Sequence, residues 1–447
     1  MLCEPLPAGS GGNRLAGGGL SPNFQHVRLL NRPSAQRKEN VSDVAQEPSS
    51  HAGGLGRAAV QSYVSTCHRV RSLAGGLFEM QGVGPRLLPM EGMRGLSAFL
   101  VFFVHFWPLF GSRAGGATLR KFFEPMATLG HCGVDVFFAL SGFIIYGLLL
   151  KKDIPYWKFV RRRVIRLYPA FVAVFLAYLF LSLAVPDRSK IPHSFFPALT
   201  YLVSNFLMLP GIFPITPMII VAWSLSYELC FYLTMPVLFR CLKLGAWPKD
   251  ARIGFFLAAS VAWLLLPAGL MRHPRMVMFG CGILLYETIG MRSRFLNYAA
   301  PVMFLATLVV IGLRGQTTVT SNYGPVLIHS TLHMVLLFIA TFALGYSALG
   351  DSGWLSKAFS WDWLRWFGNI SYSYYLFHGL VLHFVRVAAD AAGLPARLSP
   401  VAFVALCAIC FATTVAGSAG LFLAVEKRFS FRTQAVRSAA APSAAQA

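Results

Sequence analysis

Acidic side chains are scarce in this chain. Asp and Glu number 17 among 447 residues, and charged residues of both signs make up only 13%. A soluble domain carries about 25% charged residues, so a water-exposed globular protein is excluded. The eight cysteines form no framework, because Cys407 and Cys410 make a C-x-x-C inside an apolar segment that lacks other ligands. A Gly-x-Ser-x-Gly elbow is also missing, which argues against a serine-esterase mechanism.

What the chain does have is apolar residues, 56% of the total, and an excess of basic ones, 39 Lys+Arg for a net charge of +22. The basic residues cluster between apolar runs. That pattern fits cytoplasmic loops of a membrane protein and gives no reason to expect a nucleic-acid partner.

Apolar runs recur at about 95–111, 133–150, 167–185, 219–239, 253–270, 276–290, 298–313, 327–349, 366–386 and 400–424. The expected fold is all-α: a polytopic bundle of about ten transmembrane helices. The segment 195–209 is short and bracketed by Pro197 and Pro210. With 195–209 left out of the bilayer, one set of loops holds roughly twice the Lys and Arg of the other, which puts both termini in the cytoplasm. The segment is therefore expected to be a short re-entrant or interfacial helix on the outer side.

Residues 1–85 are rich in Gly, Ala, Ser, Pro and Arg and are read as a disordered extension. Met80 and Met90 stand just before the first span, so the extension is expected to be dispensable.

Ionisable groups inside apolar spans are expensive and usually have a task. Glu228, in "AWSLSYELCFYL", lies near mid-bilayer, where a charge costs about 3 kcal/mol. Asp135 opens the second span at its outer end. Glu287, at an inner end near Arg292 and Arg294, is expected to snorkel. His329 and His333 have metal-ligand spacing but no third ligand nearby, and no metal site is expected. His383 sits near an outer boundary and His378 about mid-span. His105 lies in the outer half of the first span, eleven residues after Arg94. Eleven residues make three helical turns plus about 20°, so the two share a face about 16 Å apart. An imidazole there can move protons.

Six segments follow one another in a telling order: "EGMRGLSAFLVFFVH", "GVDVFFALSGFIIYGLL", "KFVRRRVIRLYPAF", "WSLSYELCFYL", "FGNISYSYYLFHG" and "VEKRF". Together they resemble the membrane-bound acyltransferase-3 family, over residues 90 to about 430. On that resemblance residues 86–430 form a membrane acyltransferase domain and 431–447 a flexible cytoplasmic tail.

The resemblance implies a bacterial inner-membrane O-acyltransferase. Its donor would be acyl-CoA, above all acetyl-CoA, used as a substrate with no permanently bound cofactor. Its acceptor would be a glycan or lipid-linked saccharide beyond the outer face. The family's Arg-x10-His pattern falls on Arg94 and His105, its Arg-x-x-Arg on Arg163 and Arg166, and its acidic position on Glu228. The acidic or Gln residue that usually follows that Glu is replaced here by Leu229 and Cys230.

In "RRRVIR" the guanidiniums, among them Arg162, Arg163 and Arg166, suit the phosphates of CoA. Tyr232 and His378 are placed with these binding residues. His105 is expected to act as general base, oriented by Glu228 or Asp135; an acyl-histidine route stays open. The rival readings are a proton-coupled transporter and an acyltransferase with a small lipophilic acceptor. Carriers often carry internal repeats, and no second copy of the Arg-x10-His or "WSLSYE" segment is present.

Overall fold

The computed structural model describes residues 66, 69–79, 87–265, 273–291, 294–314, 318–321, 324–327, 331–350 and 353–431. Most of the expected N-terminal extension and the tail after Phe431 lie outside the described residues, as does His329.

The first long helix, α1 (Leu88–Phe110), begins with a proline in its opening turn, where a fixed φ favours the helix and no donor is lost. α2 (Ala117–Gly130) follows Gly116, whose φ of 98° suits glycine alone. Next come α3 (Cys132–Lys151) and the 29-residue α4 (Tyr156–Ala184), then the short α5 (Phe195–Phe206). α6 (Ala222–Cys241), α7 (Lys249–Leu265), α8 (Val277–Thr288) and α9 (Arg294–Arg314) continue the series. A two-stranded antiparallel hairpin, β1 (Thr318–Ser321) with β2 (Gly324–Leu327), precedes α10 (Thr331–Gly350). Two short helices, α11 (Trp354–Phe359) and α12 (Asp362–Asn369), lead into α13 (Ser371–Ala391). α14 (Pro400–Leu421) passes directly into a π-helix, Phe422–Phe431. Apart from the hairpin, the regular structure among the described residues is helical.

Among the described residues, five segments are long and apolar enough to cross a membrane: Leu88–Arg113, Ala117–Lys151, Tyr156–Ala184, Leu332–Gly350 and Pro400–Ser430. The sequence pattern calls for about ten. Several of the remaining helices, such as α8 with 12 residues, fall short of the roughly 20 that a span needs.

Glycines set the closest crossings. A Cβ on Gly282 would stand 1.8 Å from the Ala139 carbonyl oxygen, and one on Gly142 would stand 2.2 Å from that of Phe279. α3 and α8 therefore touch backbone to backbone, the small-residue contact by which helices associate in lipid. One core gathers α3, α4, α6 and α8 around Phe138, Phe171, Tyr232 and Phe279. A second joins α1, α13 and α14 through Phe102, Phe106, Tyr374 and Phe403.

Three expectations need correction. The expected disorder over 1–85 does not hold for residues 69–79, because residues 69–78 are helical and the segment is tied to the rest of the chain. Glu79 accepts hydrogen bonds from Arg365 and from Trp366 Nε1 (2.8 Å), and Asn369 Nδ2 donates to the Phe78 carbonyl at 3.0 Å. Glu287 does not snorkel; it is buried and takes both Arg252 Nε (2.6 Å) and the hydroxyl of Tyr146. The third concerns Arg163 and Arg166, which sit inside α4 rather than on a loop before it. A helix gives each arginine a fixed direction, which a loop would not.

Candidate active site

Five helices bring polar residues to one cavity of about 120 Å³, α3 through Ser141. α1 contributes Arg94, α4 contributes Arg163 and Arg166, α6 contributes Glu228 and Tyr232, and the start of α13 contributes Ser371. Arg94 Nη2 donates to Ser371 Oγ at 3.1 Å. Glu228 accepts from Ser141 Oγ at 2.9 Å and from the hydroxyl of Tyr232, one helical turn along its own helix. The guanidinium of Arg163 lies over two rings, 5.4 Å from the centroid of Phe159 and 5.7 Å from that of Tyr232. Its Nε is buried with no hydrogen-bond partner. Arg166 is ion-paired with the buried Glu426.

Two carboxylates thus face three guanidiniums, and arginine keeps its charge in proteins. Among the described residues neither Arg94 nor Arg163 has an ion-pair partner. A half-buried charge without a counter-ion still loses part of its hydration, so the cavity is suited to an anion.

His105 lies about 16 Å up α1 from Arg94. There it meets His378 of α13 edge to face, with ring centroids 4.9 Å apart. His378 is fully buried; it stacks on Tyr374, and its Nδ1 is 2.8 Å from the Tyr374 carbonyl oxygen. A carbonyl can only accept, so Nδ1 carries the proton and Nε2 of the neutral ring presents a lone pair. That Nε2 has no hydrogen-bond partner.

Sequence-predicted residues are thus divided. Arg94, Arg163, Arg166, Glu228 and Tyr232 share the cavity, and His105 is joined by His378. Neither expected orienting carboxylate contacts His105. Glu228 is engaged by Ser141 and Tyr232, while Asp135 pairs with Arg275 at 3.3 Å, both buried. Arg162 is exposed and does not line the cavity. The residue that sequence reasoning missed is Glu426. Its signal was present as a lone acid in the basic flank "VEKRF", next to the last apolar run.

Comparison with known proteins agrees with this arrangement. A family profile described as an acyltransferase domain, acyltransferase-3, matches residues 89–419. The acyltransferase MdmB of Streptomyces mycarofaciens is 34% identical over 166 residues, covering 35% of this chain and 40% of that protein. The peptidoglycan O-acetyltransferase OatA of Listeria monocytogenes is 27% identical over 284 residues, covering 56% and 44%. The chain spans less than half the length of these two curated relatives. No solved structure matches it. With a buried basic cavity below, an imidazole pair above and a family match over most of its length, this chain belongs to the acyltransferase-3 family, and residues 89–419 are its acyltransferase domain.

Proposed function

We propose that the protein is an integral membrane O-acyltransferase that moves an acetyl group from cytoplasmic acetyl-CoA to a hydroxyl of a glycan beyond the outer face. The observation that carries the reading is the surplus of half-buried guanidinium around one cavity, at Arg94, Arg163 and Arg166. Planar guanidiniums pair bidentately with phosphate oxygens, and CoA offers several phosphates. With the phosphates at the arginines, the thioester would extend along α1 toward His105.

The chemistry assigned to the imidazole is a single displacement. His105 takes the proton of the acceptor hydroxyl while that oxygen attacks the thioester carbonyl. The new C–O bond forms, the C–S bond breaks, and the departing thiolate receives the proton back from His105. General-base help of this kind is worth about 10² to 10⁴ in rate. The ring of His378 lies beside it, with its own Nδ1 committed to the Tyr374 carbonyl oxygen. The printed name of the Listeria relative, a peptidoglycan O-acetyltransferase, favours a cell-surface glycan as acceptor.

In this reading the chain lies in a bacterial inner membrane, crosses it about ten times and keeps both termini in the cytoplasm. The helix Phe195–Phe206 lies on the outer side with Phe195, Phe196, Leu199 and Val203 exposed toward lipid.

The test is consumption of acetyl-CoA thioester by the purified full-length protein with a surface-glycan acceptor, with His105→Ala as control. Acceptor-dependent loss of thioester in the wild type alone supports the reading. Equal turnover in both proteins overturns it.

A further inference from the structure

The π-helix at the end of the described chain holds a carboxylate to which the donor reading gives no task. π-helical stretches are rare and often mark functional sites. Here Phe422, Glu426 and Ser430 recur every fourth position, and all three are buried. The Glu426 carboxylate takes the guanidinium of Arg166 on one oxygen and Ser373 Oγ on the other. Ser430 Oγ donates to the Arg166 backbone carbonyl at 3.4 Å, and the Tyr372 ring lies 5.4 Å from the guanidinium. Arg166 is thereby fixed through its side chain and its backbone.

The π-helix is itself held from its other face. Lys427 Nζ donates to the carbonyls of Gly76 (3.2 Å) and Leu77 (2.6 Å), and the Phe78 ring lies 6.3 Å from that of Phe422. The family match runs over 89–419, so the segment that clasps the π-helix lies outside it, while Glu426 stands just beyond its end in the "VEKRF" segment that contributes to the resemblance.

We propose that Glu426 is a positioning residue of the donor site. It fixes the Arg166 guanidinium at the cavity wall and offsets one of the three cations there, leaving Arg94 and Arg163 to meet the anionic donor. The proposal rests on the donor reading above. It differs from a bland structural ion pair in one respect: the cost of losing Glu426 appears in donor affinity and acts through Arg166.

The probe is radiolabelled acetyl-CoA, bound at equilibrium to the full-length chain in nanodiscs. Glu426→Gln should weaken its Kd about tenfold or more, the effect of disturbing a charge-assisted phosphate contact. The double variant with Arg166→Gln should bind no more weakly than Arg166→Gln alone. A second readout needs no donor: labelling of Arg166 by phenylglyoxal, read by peptide mass spectrometry, should rise in Glu426→Gln. Wild-type affinity in Glu426→Gln, or losses that simply add in the double variant, overturns the proposal. If the wild type binds no acetyl-CoA, the donor reading falls and takes the donor role of Glu426 with it. Unchanged Arg166 labelling would instead overturn the hold itself. Should Glu426→Gln fail to fold, Ser373→Ala keeps the charge and removes one partner of the carboxylate. It should weaken binding about threefold, and wild-type affinity there also overturns the proposal.

Discussion

The imidazoles of His105 and His378, from helices α1 and α13, meet edge to face with centroids 4.9 Å apart. This contact brings together two residues 273 positions distant in the chain, directly up α1 from the arginine cavity. It assigns the pair different duties: His378 is committed through Nδ1 to the Tyr374 carbonyl, while His105 makes no hydrogen bond among the described residues.

His105→Gln keeps a polar side chain of similar size but cannot take a proton. Acyl transfer is expected to fall by about 10² or more, with folding intact, because a neutral polar group in a helix is tolerated far better than a charge. A general base works only as neutral imidazole, so on the proposed reading wild-type activity should rise with pH through its ionisation, and the residual activity of the variant should lack that limb. A full-rate variant with the wild-type pH profile would remove His105 from the chemistry.

The arginine run offers an internal control. Arg163→Gln with Arg166→Gln should raise the KM for acetyl-CoA more than tenfold, since each lost charge-assisted bond costs about 1.5–3 kcal/mol. Arg162→Gln, altering an exposed side chain one residue away, should leave KM unchanged. Insertion should survive in both, because Lys151, Lys152, Lys158 and Arg161 still mark the inner side. Equal KM values in the two variants would reduce the cluster to an orientation signal.

Asp135→Asn separates support from catalysis. The carboxylate is buried against Arg275 and reaches neither imidazole. Weakening a buried pair costs about 3 kcal/mol, so the variant should unfold at lower temperature while its kcat per folded molecule stays near wild type. A large loss of kcat at unchanged Tm would return Asp135 to the active site.

Removing residues 1–79 is no longer expected to be silent. It deletes the acceptors for Trp366 Nε1 and Lys427, one of two acceptors for Asn369 Nδ2, which keeps Glu91, and one carboxylate of Arg365. Arg365 keeps Glu91 and Asp362. Buried groups left without partners cost about 1–3 kcal/mol, so translation from Met80 should still give inserted protein with a lower Tm. An unchanged Tm would show that the segment adds nothing to stability.

What the sequence made legible was what lies along one helix. Arg94 and His105 share a face by periodicity alone, and Glu228 with Tyr232 stand one turn apart. Pairings between helices were not legible. Nothing near Asp135 points to Arg275, 140 residues on, or near Glu287 to Arg252. The difference between Arg162 and Arg163 depends on which neighbours α4 packs against. Residues 69–79 have a disordered composition and owe their order to Arg365, Trp366 and Lys427, all hundreds of residues away. Glu426 was hidden for a further reason: a π-helix changes the register on which a face is read.

Because Arg94 and His105 belong to one unbroken helix, α1 is a measuring rod. Its length is written in residue number and cannot be adjusted by loop movement or side-chain choice elsewhere. Adding a single residue between them would swing the imidazole about 100° away from His378 and lengthen the rod by about 1.5 Å. Removing four would return it to nearly the same face but about 6 Å short. The distance from the Arg94 guanidinium to the His105 imidazole is therefore a property of chain length, and on the proposed reading it limits what can be carried between them to whole helical steps.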